Sequence, residues 1–508
     1  MTKNFDYCPY LTDASNNLLN KLYIPTSESK FDHSILDENK FKSSIHVNTQ
    51  NEAFMKSINY KELQISVPDL KKLKEKHLKI IKGIKDSKKI PKDKIETHIK
   101  TENTKYKRIV DNINNVRRAK KFWIPITKKQ KEIIFGWFKL CDFTYNKCVT
   151  LFNDGEFNKL TKVQLFNMIF DGEEKNCPYD MLSDEYKKFK SNLKSVISNM
   201  RNGNITHFQM TNKKQNNGRS VFIAKPGITK FGIYPNLLGN IPNFDKIINI
   251  NLVASDCMLV YDKLKKAFYL HIPQYIHIKE IKNRSKVVAL DPGEKIFMAF
   301  YSPELCGKIG EDIRINILRY QSDIKKLQKI KSNGINKENN KLKNKKHIQE
   351  RINKKYRKIR YLVDELHHLT ALYLCKNYDR ILIPIFETQK MIKKDKEIYK
   401  GTPEEIKERI KEGSKKIRLS RRVKFVLNML SHYRFRQHLI AKGGEYGCQI
   451  IECTEEYTTQ CCGKCGYLSK VCENRVKICQ RCEYRINRDI NGARNIMIKN
   501  HEMIIEPE

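Results

Sequence analysis

The sequence has no uninterrupted apolar run long enough to cross a lipid bilayer, which counts against a membrane-spanning protein. Its first residues, MTKNFDYCPYLTDASNN, lack the charged segment followed by an apolar segment that marks a secretory signal, so we do not expect secretion. In a protein that is not secreted, the 15 cysteines are better explained as reduced thiols and metal ligands than as disulfides. We therefore expect no membrane partner.

Acidic residues are scarce relative to basic ones. The 508 residues include 57 Asp and Glu against 99 Lys and Arg, a formal net charge of +42. An excess of this size indicates a polyanionic partner, and nucleic acid is the commonest one. The length allows about three ordinary domains with large cores.

Two Cys-x-x-Cys pairs near the C-terminus form the most specific motif. The first pair is Cys462 and Cys465, and the second is Cys479 and Cys482, whereas Cys472 lacks a partner at this spacing. Each pair can bind one metal ion from a tight turn, and two pairs supply the four thiolates that suit tetrahedral Zn²⁺. The pattern predicts a zinc ribbon, and the alternative is four unrelated buried cysteines.

Hydrophobic periodicity predicts helices and strands in alternating blocks. Residues 1–105 are polar and should be loosely ordered, although Lys71–Lys89 could form a basic helix or a solvated lysine face. Thr127 resembles an N-cap before a helix that runs from Lys128 to Leu151, and short alternating strands follow from about 207 to 278. Strands that alternate with helices after residue 286 indicate an α/β sheet. The elements predicted there are a strand over 287–290, helices over 313–331 and 341–377, a strand over 381–386, a helix over 418–442 and a strand over 448–453.

Three acidic residues stand at the ends of predicted elements. Asp291 ends one strand, Glu387 ends another, and Asp489 opens the helix after the ribbon. Polar residues at strand ends can meet at one edge of a sheet. Converging carboxylates repel one another unless cations lie among them, and Mg²⁺ prefers such oxygen ligands. Two Mg²⁺ ions could then support hydrolysis of a phosphodiester, while each acid taken alone could be a helix cap or an ion-pair partner.

The order of these motifs resembles a known family. ALDPG, PIFETQKM, the cysteine ribbon and RDINGARNI follow one another as in the RuvC-like nuclease of the transposon-encoded TnpB proteins, and more closely as in Fanzor, their eukaryotic and giant-virus relatives. The resemblance covers about 287–499 and extends more weakly upstream. It implies an RNA-guided DNA endonuclease in which Asp291 and Asp489 are the first and last catalytic acids and the four cysteines bind zinc.

The resemblance also implies a fold. We expect a multidomain α/β protein with an RNase H-like RuvC nuclease domain carrying a zinc-ribbon insertion, preceded by an antiparallel β-barrel wedge domain that a helical recognition domain interrupts. In this arrangement zinc would hold the chain so that Asp489 returns to the other acids. The expected segments are an N-terminal extension (1–105), the wedge barrel (106–127 and 206–285), the recognition domain (128–205), the nuclease (286–457), the ribbon (458–486) and the final nuclease helix with the tail (487–508).

One position departs from the TnpB pattern. If Met391 is aligned with the methionine that usually follows the middle glutamate, Pro384 takes that glutamate's place. Fanzor proteins are similar in having a displaced glutamate, so we assign the role to Glu387. Glu365 and Glu452 are the fallback candidates.

Candidate nucleic-acid contacts come from clusters of basic residues. The run Lys341–Arg360 has ten basic residues and one acidic residue, too biased for a balanced solvent-exposed face. Phosphates of a guide–target duplex are the expected ligands, because base pairing carries the sequence information. The candidates are Lys213, Lys214, Arg219, Lys345, Lys346, Arg351, Lys354, Lys355, Arg421 and Arg422.

The resemblance implies partners and a location as well. We expect a guide RNA encoded near the gene, a double-stranded target DNA, about two Mg²⁺ ions and one Zn²⁺. The ribonucleoprotein should be monomeric and should act in the nucleus of a eukaryotic host or in the host cell of a giant virus. Two alternatives remain open: a guide-dependent DNA-binding protein without cleavage, and a transcription or RNA-processing factor with a zinc ribbon.

Overall fold

The computed structural model describes residues 44–47, 70–86, 91–169, 177–213, 219–333, 341–392, 419–469 and 475–504. The chain divides into two compact units, Asn115–Ile276 and the combination of Met1–Asn114 with His277–Glu508. Each unit combines helices with β-sheet, so the mixed α/β class is as expected. No helix in the described ranges is both long enough and apolar enough to span a membrane.

The described parts of the first 114 residues contain regular elements. These are β1 (Ser44–Val47), α1 (Leu70–Lys85) and α2 (Lys92–Val110). The His77 ring of α1 stacks on the Tyr106 ring of α2 at 4.2 Å. The helix α1 confirms the basic helix predicted near Lys71–Lys89, and most of the segment expected to be loosely ordered lies outside the described residues.

The unit Asn115–Ile276 packs helices against one face of a four-stranded antiparallel sheet. Its elements are β2 (Asn115–Ile124), α3 (Lys128–Asn153), α4 (Lys162–Ile169), α5 (Tyr179–Arg201), β3 (Arg219–Ile223), β4 (Ile228–Thr229), β5 (Gly232–Ile233), α6 (Pro235–Leu238), α7 (Phe244–Ile247), β6 (Cys257–Asp262) and β7 (Ala267–His277). The sheet order is β2-β7-β6-β3, and β4 pairs only with β5 within the described residues. Thr127 caps α3 through a reciprocal capping box with Gln130, as its sequence position predicts. Closure of these strands into a barrel stays a prediction.

The second unit contains a six-stranded sheet. After β1, α1 and α2, its elements are β8 (Ser285–Pro292), β9 (Met298–Tyr301), β10 (Leu305–Ile309), α8 (Ile313–Asn333), α9 (Lys341–Asn377), β11 (Tyr378–Pro384), α10 (Thr388–Ile392), α11 (Arg421–Leu430), α12 (His432–Tyr446), β12 (Gln449–Cys453), β13 (Val476–Ile478), β14 (Arg485–Asn487) and α13 (Arg488–Lys499). The helices α8 and α9 confirm the two basic helices predicted there.

The six strands have the order β1-β10-β9-β8-β11-β12. Pairing is antiparallel from β1 to β8 and parallel from β8 through β11 to β12. Alternate residues of β8 face opposite sides: Val288 and Leu290 join the core formed with α8, α9, α11 and α12, whereas Val287 and Ala289 join the core formed with α13. Alternation therefore places Asp291 on the α13 side of the sheet.

The helix predicted over 418–442 is divided into α11 and α12. Ser431 between them has a φ of 51°, a left-handed conformation that a continuous α-helix does not allow. The break lets His432 reach the turn after β8, where its Nε2 lies 3.0 Å from the Gly293 carbonyl oxygen. The His432 ring also stacks on Phe297 at 5.2 Å. A single helix was therefore the wrong prediction for this segment.

Candidate metal centre

The four predicted zinc ligands come together in the structure. The sulfur atoms of Cys462, Cys465, Cys479 and Cys482 all lie within 4.8 Å of one another. The Cys462–Cys482 sulfur distance is 3.8 Å and the Cys465–Cys479 distance is 3.5 Å. A tetrahedron of sulfurs at about 2.3 Å from a central Zn²⁺ has edges of about 3.8 Å. The donor set and its spacing fit one zinc ion.

The surroundings act differently on the four thiols: burial raises the pKa of Cys462 and of Cys465, whereas the pKa of Cys479 is lowered. Burial raises the pKa of Cys479, but backbone N–H groups of Cys482 and Arg481 and the thiol of Cys465 lower it, to a net value of about 7. The backbone N–H of Lys464 also points to the Cys462 sulfur at 3.4 Å. Thiolates are the form that binds a metal, so Cys479 is the ligand that loses its proton most readily, and binding of the ion would favour ionisation of the others.

Lys477 is a buried cation beside the ribbon that sequence reasoning missed. Its side chain donates hydrogen bonds to the carbonyl oxygens of Thr459, at 3.1 Å, and Gln460. Four thiolates around one Zn²⁺ leave excess negative charge, which a buried ammonium group offsets. The signal available in the sequence was a lysine two residues before a ligand cysteine, which is too common to single out.

Helix α13 holds the first cysteine turn through buried polar side chains. Asn491 accepts a hydrogen bond from the Gly463 N–H at 2.9 Å and donates one to the Cys461 carbonyl oxygen, also at 2.9 Å. Asn495 donates to the same Cys461 oxygen at 2.9 Å, and Arg494 donates to the Gly463 carbonyl oxygen. Because these side chains are buried, leaving any of them unpaired would be costly. The position of α13 is thus tied to the fold of the ribbon.

The same helix presents Asp489 to Asp291. Asn487 caps α13, and its side-chain oxygen accepts hydrogen bonds from the N–H groups of Asp489 and Ile490. One turn after Asp489, Gly492 leaves room for the Asp291 carboxylate: a Cβ atom there would overlap Asp291 Oδ2 and lie 3.2 Å from its Cγ. The Asp291 carboxylate is therefore packed directly against α13 at Gly492.

Glu455 follows β12 and acts electrostatically on Asp291. It was not identified as a candidate from the sequence. Leu382 of β11 is paired with Ala289, so Pro384 reaches the level of Asp291 two residues later. Pro384 is paired in turn with Cys453 of β12, and Cys453 belongs to the core on the α13 side. Glu455 follows two residues after Cys453. The strand-end rule that selected Asp291 could have found Glu455 if it had been applied to β12.

Burial and the nearby negative charges raise the pKa of Asp291. Burial raises it first, and the charges of Asp489 and Glu455 raise it further, well above its usual value, while Arg488 acts in the opposite direction. Burial and repulsion from Glu456 also raise the pKa of Glu455 to about 7. A divalent cation would relieve this repulsion, and hard carboxylate oxygens suit Mg²⁺. Asp291, Glu455 and Asp489 are therefore the candidate ligands for such an ion.

Glu387, the predicted middle acid, lies three residues beyond the end of β11, and its side chain is exposed. The acidic side chains that raise the pKa of Asp291 include Asp489 and Glu455 rather than Glu387. Of the two fallback candidates, Glu452 forms an ion pair with Arg436 at 3.1 Å, and Glu365 lies within α9. The role of Glu387 as the middle acid stays a prediction. Glu455 is the alternative candidate for that role because its charge acts on Asp291.

The predicted nucleic-acid contacts fall into different environments. Lys213 forms an ion pair with Glu185, and the Arg219 guanidinium lies 5.4 Å from the Phe135 ring centroid. Lys355 forms an ion pair with Asp323 at 2.5 Å. Lys345 is half-buried, and Lys214 lies outside the described residues. The candidates with exposed side chains are Lys346, Arg351, Lys354, Arg421 and Arg422. Contact with nucleic acid stays a prediction for all of them.

Replacing Gly492 with alanine should reduce the DNA cleavage that the resemblance implies by about tenfold to 100-fold, because a displacement of about 1 Å in a reacting group can have an effect of this size. The added methyl group would displace the Asp291 carboxylate, as its overlap with Oδ2 requires. The matched control is Gly136→Ala within α3, where a Cβ meets no atom within 4 Å. Cleavage rates of the two variants, compared at equal folded fraction, check this prediction. Equal rates would contradict it.

The raised pKa of Glu455 predicts a pH-dependent stability in the absence of divalent metal. An unfolded Glu ionises near 4.5, whereas folded Glu455 ionises near 7, so the folded state binds the extra proton between these values. The stability contributed by this proton is present at low pH and is lost as the pH rises through about 7. Glutamine does not titrate, so the Glu455→Gln variant lacks this loss. Its unfolding free energy minus that of wild type should therefore increase as the pH rises and level off above about pH 7. Denaturant titrations of the zinc-containing protein without added Mg²⁺ measure this difference, and a pH-independent difference would refute the prediction.

Comparisons with known proteins bear on this centre. Residues 432–496 match the family model described as "Cas12f1-like, TNB domain". The chain is 24% identical over 400 residues to the TnpB-like protein L770 of Acanthamoeba polyphaga mimivirus, covering 75% of this chain and 72% of the relative. It is 37% identical over 79 residues to the CRISPR-associated endodeoxyribonuclease Cas12f1 of Sulfoacidibacillus thermotolerans, covering 15% and 18% of the two chains. The resemblance to TnpB-like proteins is confirmed.

A solved structure is also similar in coarse outline. It is the cryo-EM structure of the Cas12f1–sgRNA–target DNA complex, with a TM-score of 0.39 and 13% sequence identity. The similarity covers 91% of this chain and 99% of that one.

Proposed function

We propose that the chain is an RNA-guided DNA endonuclease that hydrolyses phosphodiester bonds at Asp291, Glu455 and Asp489. The observation that carries this proposal is the packing of the Asp291 carboxylate against α13, beside Asp489 and within the electrostatic reach of Glu455. The naming of the relative Cas12f1 as an endodeoxyribonuclease supports DNA as the substrate. The resemblance to TnpB proteins and the net charge of +42 support an RNA guide.

Each acid has a separate structural support in this proposal. β8 presents Asp291, the N-terminus of α13 presents Asp489, and the segment after β12 presents Glu455. Together they would hold Mg²⁺, which when bound activates water and stabilises the leaving oxygen of a phosphodiester. The three side chains supply negative oxygens at fixed positions, and the cap at Asn487 and the space at Gly492 keep those positions. Two Mg²⁺ ions and a monomeric ribonucleoprotein are part of the proposal.

The test uses the full chain purified together with RNA transcribed from the region that flanks its gene. The complex is incubated with a matching double-stranded target whose flanking sequence is randomised. We expect cleavage that needs the matching guide and Mg²⁺ and stops in EDTA. Guide-dependent binding without cutting in Mg²⁺ would instead support a DNA-binding protein, and the absence of any bound RNA would refute both assignments.

A further inference from the structure

The four-stranded sheet of the unit Asn115–Ile276 has one face covered by helices and one face that is not part of that core. Leu259 and Leu270 point into the helix-packed core and are fully buried. Their neighbours along β6 and β7 alternate with them, and the strand register pairs Val260 with Tyr269 and Met258 with His271. Both members of each of these pairs therefore lie on the opposite, outer face.

Strand β2, at one edge of this sheet, contributes an exposed tryptophan to the outer face. Ile124 is buried in the helix-packed core, so its neighbour Trp123 points the other way, and 56% of Trp123 is exposed. The only other tryptophan of the chain, Trp137, is 1% exposed and belongs to that core. Leaving an indole in water forgoes a large hydrophobic gain.

Two basic residues share the outer face with this tryptophan. β2 has the sequence NVRRAKKFWI, with four cations and no acid. Lys121, two residues before Trp123 and on the same face, holds its Nζ atom 3.8 Å from the centroid of the Tyr269 ring. Arg117 and Lys121 therefore share the outer face with Trp123, and Lys121 lies over the Tyr269 ring.

A single exposed aromatic residue would need no explanation. An exposed tryptophan on a strand without acids, with Arg117 and Lys121 on its own face, is a different pattern. Aromatic rings on an open sheet stack unpaired bases, while neighbouring cations contact the phosphates. Bases already stacked within a duplex cannot use such a surface, so the ligand must be single-stranded.

We infer that the outer face of this sheet binds a single-stranded segment of the guide RNA, with one base stacked on Trp123. This inference rests on the proposed function, since it takes the guide RNA as the source of the strand. Lys121 and Arg117 of β2 contact its phosphates, and the half-buried Tyr269 ring supports Lys121. Loops and ends of a structured RNA supply the unpaired bases that this surface requires.

The test uses Trp123 as its own reporter. In a full-length Trp137→Phe protein Trp123 is the single tryptophan, so its fluorescence follows this surface alone. The probe is a 12-nucleotide oligoadenylate RNA, with the matching deoxyoligonucleotide and a duplex as comparisons. We expect the RNA to quench the fluorescence and the duplex to leave it unchanged.

Affinity measurements on the protein with both tryptophans avoid dependence on the core substitution. Trp123→Ala should weaken oligoadenylate binding about tenfold, and Trp123→Phe should restore most of the affinity, because a phenyl ring still stacks. The control is Phe231→Ala, which removes a 51% exposed ring from the turn between β4 and β5. That variant should bind like wild type.

The outcomes separate this inference from the proposed function. If the wild-type complex cleaves DNA but Trp123 is neither quenched nor needed for RNA affinity, the stacking surface is refuted and the nuclease stands. Equal or tighter binding of the deoxyoligonucleotide would assign the face to a DNA strand and overturn the RNA assignment. A wild-type chain that binds no RNA of any kind would overturn both.

Discussion

Replacing Glu455 with glutamine is expected to reduce cleavage by at least about 10³-fold, as Asp291→Asn should. Glutamine keeps the size of the side chain and removes the charge that contributes to the raised pKa of Asp291. Loss of one charged ligand from a magnesium site removes several kcal/mol of transition-state stabilisation, at about 1.4 kcal/mol per tenfold change in rate. Single-turnover cleavage by the guide-loaded protein measures the effect, and binding of guide and target should remain intact.

The matched variant is Glu387→Gln, which makes the same chemical change at the acid that sequence reasoning assigns to the site. If Glu455 is the third acid, this variant should cut within a few-fold of wild type. The reverse pattern, with loss of cutting in Glu387→Gln and near-normal cutting in Glu455→Gln, would return the role to Glu387. Loss in both variants would show that each acid is required.

Loss of the zinc site should have the second large effect. Cys479→Ser is expected to lower the zinc content from about one ion per chain to near zero, because three thiolates hold the ion much less tightly than four. Without the ion the first cysteine turn loses its fixed backbone, and with it the hydrogen-bond partners of Asn491 and Asn495. α13 would then no longer hold Asp489 against Asp291, and cleavage should fall by about 100-fold or more.

The control for the zinc prediction is Cys472→Ser, which changes a cysteine that lacks the paired spacing. Elemental analysis gives the zinc content, and hydrogen exchange of the α13 amides reports the helix independently of activity. Wild-type cleavage and unchanged exchange in a zinc-free Cys479→Ser protein would contradict a positioning role for the ribbon. Failure of wild type to retain zinc would overturn the zinc assignment itself.

Local sequence patterns were sufficient to predict many of the helices and strands. The capping box at Thr127 and the lengths of α8 and α9 could be predicted because they depend on residues close together in the chain. The division at Ser431 could not, since a serine with positive φ is stabilised by tertiary contacts such as that of His432 with Gly293. The pairing of β1 with β10 joins residues about 260 positions apart, which no local pattern encodes.

Only part of the candidate site could be predicted from the sequence, because its middle acid depends on contacts between distant segments. Asp291 and Asp489 stand at element boundaries that the sequence marks clearly, and the structure brings them together. The choice between Glu387 and Glu455 depends on which strand lies beside β8 and at what register. Pro384 pairs with Cys453, and Glu455, two residues beyond Cys453, is an acid whose charge raises the pKa of Asp291.

The three acids lie in two separate parts of the chain, so a single cut between those parts would separate them. Asp291 lies before residue 392, whereas Glu455, the ribbon and Asp489 all lie after residue 419. A chain cut within 393–418 would yield two fragments, neither of which holds all three acids. The parallel pairing of β11 with β12 spans that cut, so the fragments would have to rebuild this pairing before a complete site exists. Nuclease activity from two separately expressed halves would then report their association in a cell.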